Sequence, residues 1–90
     1  MRSGIDNVEG KKGRGLVMDI IRLKDEFYFT YGREAEYIEM SFGTFVKIRK
    51  FADDYDYLLC RYNEFTRAMD YKLLGMYVIF VDDMEGVEVY

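Results

Sequence analysis

Apolar positions along the chain fall into short runs separated by polar breaks, and the spacing within each run predicts an element. Leu16–Leu23 ("LVMDIIRL") is rich in branched aliphatics, and Lys24-Asp25-Glu26 reads as a turn. In Phe27–Tyr31 ("FYFTY") Phe27, Phe29 and Tyr31 alternate with Tyr28 and Thr30, so the two runs predict a β-hairpin. After the break at Gly32-Arg33-Glu34, Tyr37–Phe42 alternates Ile38, Met40 and Phe42 with Tyr37, Glu39 and Ser41, a third strand. Residues 45–51 fit either a strand, through Val46 and Ile48, or a helix, through Phe45, Ile48 and Phe51.

Farther on, the period becomes helical. Tyr55, Leu58, Leu59, Tyr62, Phe65, Met69 and Leu73 form one apolar stripe, with Arg61, Glu64, Arg67 and Lys72 off it. Asp53 or Asp54 can cap its start and Gly75 its end, which predicts a helix over 53–74. Met76–Val81 is a near-continuous apolar strand, Asp82–Gly86 a turn, and Val87 and Val89 alternate with Glu88 and Tyr90. The expected fold is α+β, in the order β-β-β-α-β-β. About five strands form a small antiparallel sheet with one main helix packed on one face.

Residues 1–15 carry four of the eight glycines and lack hydrophobic periodicity. They are expected to form a flexible, basic, Gly-rich leader before a single α+β domain over 16–90. The leader holds four cations and two anions, against nine cations and fifteen anions in the remainder. An acidic body disfavours nucleic acid and favours basic protein surfaces.

Composition narrows the chemistry further. With no histidine, the usual proton shuttle and commonest metal ligand near neutral pH are missing, and one thiol among carboxylates makes a poor zinc set. No catalytic residue, metal or cofactor is therefore expected. The longest apolar run, Met76–Val81, is too short to span a bilayer, and the cationic start leads into no cleavage-site pattern. The single cysteine, Cys60, suits a reducing cytoplasm and is read as a small core residue lacking a base to activate it.

Two short stretches resemble nucleic-acid-binding loops. "VEGKKGRGL" resembles the Gly-x-x-Gly loop of KH domains, with Lys11 and Lys12 at its centre and Arg14 after it, which implies contacts to a nucleic-acid backbone. The likeness covers about ten residues, Glu9 puts an anion beside the phosphate path, and a soluble Gly/Lys leader explains the stretch as well. "SFGTFVKI" resembles the aromatic strand of RRM domains through Phe42, Gly43, Phe45 and Val46, but Thr44 breaks the spacing. Asp53, Asp54 and Asp56, like Asp82, Asp83 and Glu85, lack the spacing of a calcium loop.

Nine tyrosines carry more weight, because tyrosine supplies interface area at low entropic cost. Tyr28, Tyr37, Tyr57, Tyr71 and Tyr90 fall off the inferred core faces, interspersed with Glu39, Asp56, Asp70, Asp82, Asp83, Glu85 and Glu88. The expectation is a non-enzymatic binding protein whose acidic, tyrosine-rich surface docks on a basic protein. That partner would belong to a nucleic-acid-handling complex. In size and charge the chain is similar to phage inhibitors of the anti-CRISPR and anti-restriction kind. Direct RNA or DNA binding through Lys11, Lys12, Arg14 and sheet aromatics is the alternative. Homo-oligomerisation is expected through Val87–Tyr90 as an edge strand.

Overall fold

Leu16, Ile20, Leu23 and Phe27 are all buried and recur every three or four residues, the period of one helix face. A computed structural model describing residues 1–90 accordingly places helix α1 over Gly13–Tyr31, where a β-hairpin was expected. The branched aliphatics of the first run read equally as strand until the window extends to Phe27. Gly32 closes α1 at φ 74°, and its N–H donates to the Tyr28 carbonyl oxygen.

Strand β1 is Ser3–Ile5 and β2 is Tyr37–Met40. Helix α2 then covers Phe42–Asp54, so "SFGTFVKI" is a cap and helix, not an aromatic strand. The Ser41 side chain accepts from the Thr44 N–H at 3.1 Å, satisfying one of the donors a helix start leaves free. Ser41→Ala is expected to cost about 1 kcal/mol in a urea melt. Asp53 and Asp54 thus end a helix, whereas the sequence pattern had them beginning one.

Residues 58–73 are a hairpin, not a helix: β3 spans Leu58–Asn63 and β4 Ala68–Leu73. Its two strands mirror each other. Leu58 faces Leu73, Cys60 faces Tyr71 and Tyr62 faces Met69, while Leu59 faces Lys72 and Arg61 faces Asp70. Asn63 Oδ1 accepts from the N–H groups of Phe65 and Thr66 at 2.9 and 3.2 Å, which fixes the turn. Apolar residues on both faces of the two strands happen to repeat at three and four, so the stripe mimicked a helix.

Strands β5 (Met76–Phe80) and β6 (Val87–Val89) complete one six-stranded sheet, in the order β1-β6-β2-β5-β4-β3. It is mixed, since β2 and β5 run parallel and the other pairs antiparallel. Two helices of comparable length replace the single main helix expected. Parallel β2 and β5 require a crossover, which α2 and the β3–β4 hairpin supply. Because β6 lies between β1 and β2, Val87–Tyr90 is no edge; the edges are β1 and β3.

Both helices bury their stripes on one face of this sheet. Leu16, Ile20 and Phe27 of α1 and Phe45 and Ile48 of α2 join Ile38, Met40, Met76, Val87 and Val89 in one core. Residues 1–15 supply β1, the buried Val8 and the first turn of α1. At Gly13 a side chain would collide with the Lys47 carbonyl, so this glycine lets α1 approach α2. The Gly10–Gly13 stretch therefore joins a strand to a helix, whereas the KH loop joins two helices.

Candidate functional site

Strand alternation leaves the sheet's other face without a helix. On it stand Tyr37 and Glu39 of β2, Tyr77 and Ile79 of β5, and Glu88 of β6, with Tyr90 following on the same side. Tyr37 and Tyr90 are tied by reciprocal backbone hydrogen bonds of 2.9 and 3.0 Å. Their rings stack at 5.3 Å, and Tyr77 lies 6.2 Å from Tyr37 on the other side. Three phenolic rings thus form a row across β6, β2 and β5.

Polar contacts fix this row. The Tyr90 hydroxyl donates to Glu39 Oε2 at 2.6 Å. Glu39 and Glu88 face each other across β2 and β6, an arrangement that like charges disfavour. Arg2 resolves it by donating to Glu39 Oε1 at 3.2 Å and Glu88 Oε2 at 2.9 Å, with its guanidinium 4.0 Å from the Tyr90 ring centre. Lys72 Nζ sits 4.7 Å from the Tyr77 ring centre.

These contacts shift the groups they join. The Tyr90 hydroxyl, and after it Arg2, hold the Glu39 carboxyl below its ordinary range against the opposing effect of burial. The same hydrogen bond raises Tyr90, and burial adds to the rise. A depressed carboxyl adds stability above its unfolded pKa, and this is lost as pH falls through the folded value. A raised phenol adds stability below its unfolded pKa near 10, lost as pH climbs through the folded value. Thermal melts across pH should therefore show Tyr90→Phe with a weaker alkaline fall and a weaker acid fall than the native chain. Both effects should be modest, because the Tyr90–Glu39 pair is only partly buried.

Further carboxylates lie in the loops at one end of the sheet, the end away from the tyrosine row. Asp82, Asp83 and Glu85 occupy the β5–β6 connection, and Asp6 and Glu9 the β1–α1 loop beside it. The two loops are joined by the Val8 N–H donating to the Glu85 carbonyl at 3.0 Å. None of these five carboxylates takes part in an ion pair.

Of the residues singled out by sequence, Tyr37, Glu39, Glu88 and Tyr90 converge here, with Asp82, Asp83 and Glu85 at the end of the same sheet. The others are scattered. Tyr28 is on α1. Asp56 and Tyr57 follow α2, with Tyr57 half-buried beside Tyr55 and Phe51. Asp70 is held by Asn63 Nδ2 at 3.0 Å, while Tyr71 points to the opposite side and packs 4.7 Å from Phe45. Lys11 bonds Asp19 at 2.6 Å, Lys12 occupies the N-cap position of α1 and Arg14 lies in its first turn, on the helical side of the sheet. Cys60 is exposed on β3 and is not a core residue.

Arg2, Tyr77 and Ile79 were not foreseen. The unbroken apolar run Met76–Val81 hid an alternation that sends Tyr77 and Ile79 outward. Leu59, Tyr62, Phe65 and Met69, expected on the apolar stripe of a helix, are exposed. Strand β4 pairs with β5 only at Lys72 and Leu73, so the rest of the hairpin projects beyond the sheet. Phe65 at its tip is fully exposed, and Leu59 and Tyr62 are 65% and 57% exposed.

The class that this arrangement defines is a two-layer α+β domain with one helical face and one open, tyrosine-bearing sheet face. No family profile matches the chain, and no curated protein or solved structure matches it significantly. No helix is long and apolar enough to cross a membrane, and no three acidic or thiol side chains are grouped to hold a metal ion.

Proposed function

We propose that the protein works by binding rather than catalysis, docking its open sheet face on a basic protein surface. The observation that carries this reading is the row of Tyr37, Tyr90 and Tyr77 on an uncovered sheet, with five carboxylates outside any ion pair in the loops at the far end of the same strands. Rings held by neighbours lose little freedom on binding, so their contact area converts efficiently into affinity. The carboxylates would draw a basic partner in and speed association. A surface that ordinarily holds nucleic acid has that chemistry. The narrower proposal is therefore an inhibitor of a nucleic-acid-handling complex, acting in a reducing cytoplasm.

Affinity capture with the native chain supplies the partner, and variants then test the face. Tyr37→Ala with Tyr77→Ala should speed dissociation by at least about tenfold, since buried interface tyrosines are common hot spots. Asp82→Lys with Asp83→Lys should slow association, most strongly at low salt. A partner held equally well by both variants would overturn the reading.

One observation favours direct binding of single-stranded nucleic acid instead: Arg2 and Lys72 lie against the sheet-face rings, as cations do on a base-stacking platform. An oligonucleotide titration decides between the two. Micromolar binding that Lys72→Glu abolishes would replace the protein-docking proposal.

A further inference from the structure

The six-residue strand β3 ends the sheet with its outer edge uncovered. No backbone hydrogen bond outside the β3–β4 ladder involves residues 58–62. Natural edge strands are guarded by lysines, prolines, bulges or shortness. Here β3 contains no lysine or proline, its one charge, Arg61, stands opposite Asp70 of β4, its register with β4 is unbroken, and it carries exposed Leu59 and Tyr62.

We infer that β3 pairs antiparallel with β3 of a second copy about a two-fold axis through Cys60, forming one continuous twelve-stranded sheet. The register follows from side-chain chemistry. Residues opposed in an antiparallel pair share a sheet face, so the two-fold centre must fall on a residue and not between two. A centre at Arg61 sets two guanidinium groups directly against each other, which like charges disfavour. A centre at Leu59 pairs only residues 58–60. The centre at Cys60 pairs five residues and keeps the cations apart.

In that register Tyr62 faces Leu58 of the second copy, and Leu59 faces its Arg61, which remains beside its own Asp70. The hairpin tip then runs past the end of the other β3, carrying Phe65 toward the exposed Tyr55 there. One symmetric contact thereby covers the apolar groups that the lone chain leaves in water, as expected of an isologous interface. It leaves the tyrosine row at the other strands free.

Light scattering and mild copper–phenanthroline oxidation test this on the full chain. The native protein should show twice its 10.8 kDa mass. Opposed Cα atoms lie about 4.5–5.5 Å apart in such a pair, within disulfide range. Oxidation should therefore link Cys60 to Cys60 rapidly when folded and far more slowly in urea. Cys60→Ser should stay dimeric but form no covalent dimer. Tyr62→Lys and Leu59→Lys, both at exposed positions, should weaken the dimer by at least about tenfold while circular dichroism stays native. A monomer at about 100 μM, well above the Kd of a specific dimer, would overturn the inference. So would a dimer indifferent to both lysine variants, or one whose folded state fails to cross-link at Cys60.

Discussion

Replacing Phe45 with alanine is expected to cost about 3–5 kcal/mol, the usual range for deleting a buried aromatic ring. Phe45 is fully buried where α2 meets the sheet, with ring centres 4.7 Å from Tyr71 and 5.2 Å from Phe80. It joins the helix to β5 and to the base of the projecting hairpin, so its loss loosens three elements together. At about 0.1 kcal/mol per residue a ninety-residue domain has roughly 9 kcal/mol in all, and the urea midpoint should fall by a third or more. Phe42→Ala, one turn earlier at a position 60% exposed, should cost about 1 kcal/mol or less. Equal midpoints for the two variants would contradict the packing described for α2.

Gly86→Ala should be comparably damaging for a different reason. Gly86 is buried in the β5–β6 connection, and a Cβ there would overlap the carbonyl oxygens of Ile5 and Asp6. Backbone cannot step aside as a flexible side chain can. The loop carrying Asp6 and Val8 must lift, forfeiting the Val8–Glu85 hydrogen bond and the burial of Val8. About 3 kcal/mol or more is expected, with early loss of hydrogen-exchange protection in β1. Gly15→Ala supplies the opposite sign: nothing lies near its Cβ position, and alanine in a helix should gain up to about 1 kcal/mol.

The contrast between these two glycines shows what the sequence could reveal. Local alternation placed "YIEM" and "VEV" as strands, because their faces differ in burial residue by residue, and "MYVIF" was placed by its unbroken apolar run. Periods longer than one run were ambiguous. Helix α1 is recognisable only when Leu16 is read together with Phe27, and the β3–β4 hairpin only when Leu58 is matched with Leu73. Nothing local distinguishes Gly86, packed on Ile5, from Gly15, packed on nothing.

The site was partly visible for the same reason. Alternation alone identifies Tyr37, Glu39, Glu88 and Tyr90 as outward positions. Their convergence depends on β6 entering between β1 and β2, and on Arg2 meeting glutamates 37 and 86 residues away. The acidic surplus was readable from composition, but its position was not. Glu39 and Glu88 share Arg2, whereas Asp6, Glu9, Asp82, Asp83 and Glu85, none of them in an ion pair, lie in two loops that touch only after folding.

Recognition at the open sheet face is tested most directly by carboxyl footprinting of the chain with its captured partner. Carbodiimide labelling, read by mass spectrometry, reports each carboxylate separately. The expected result is protection of Asp82, Asp83 and Glu85 in the complex, with Asp25 and Glu26 on α1 labelled as in the free protein. Protection of the α1 carboxylates, with the sheet-end loops still fully reactive, would contradict it.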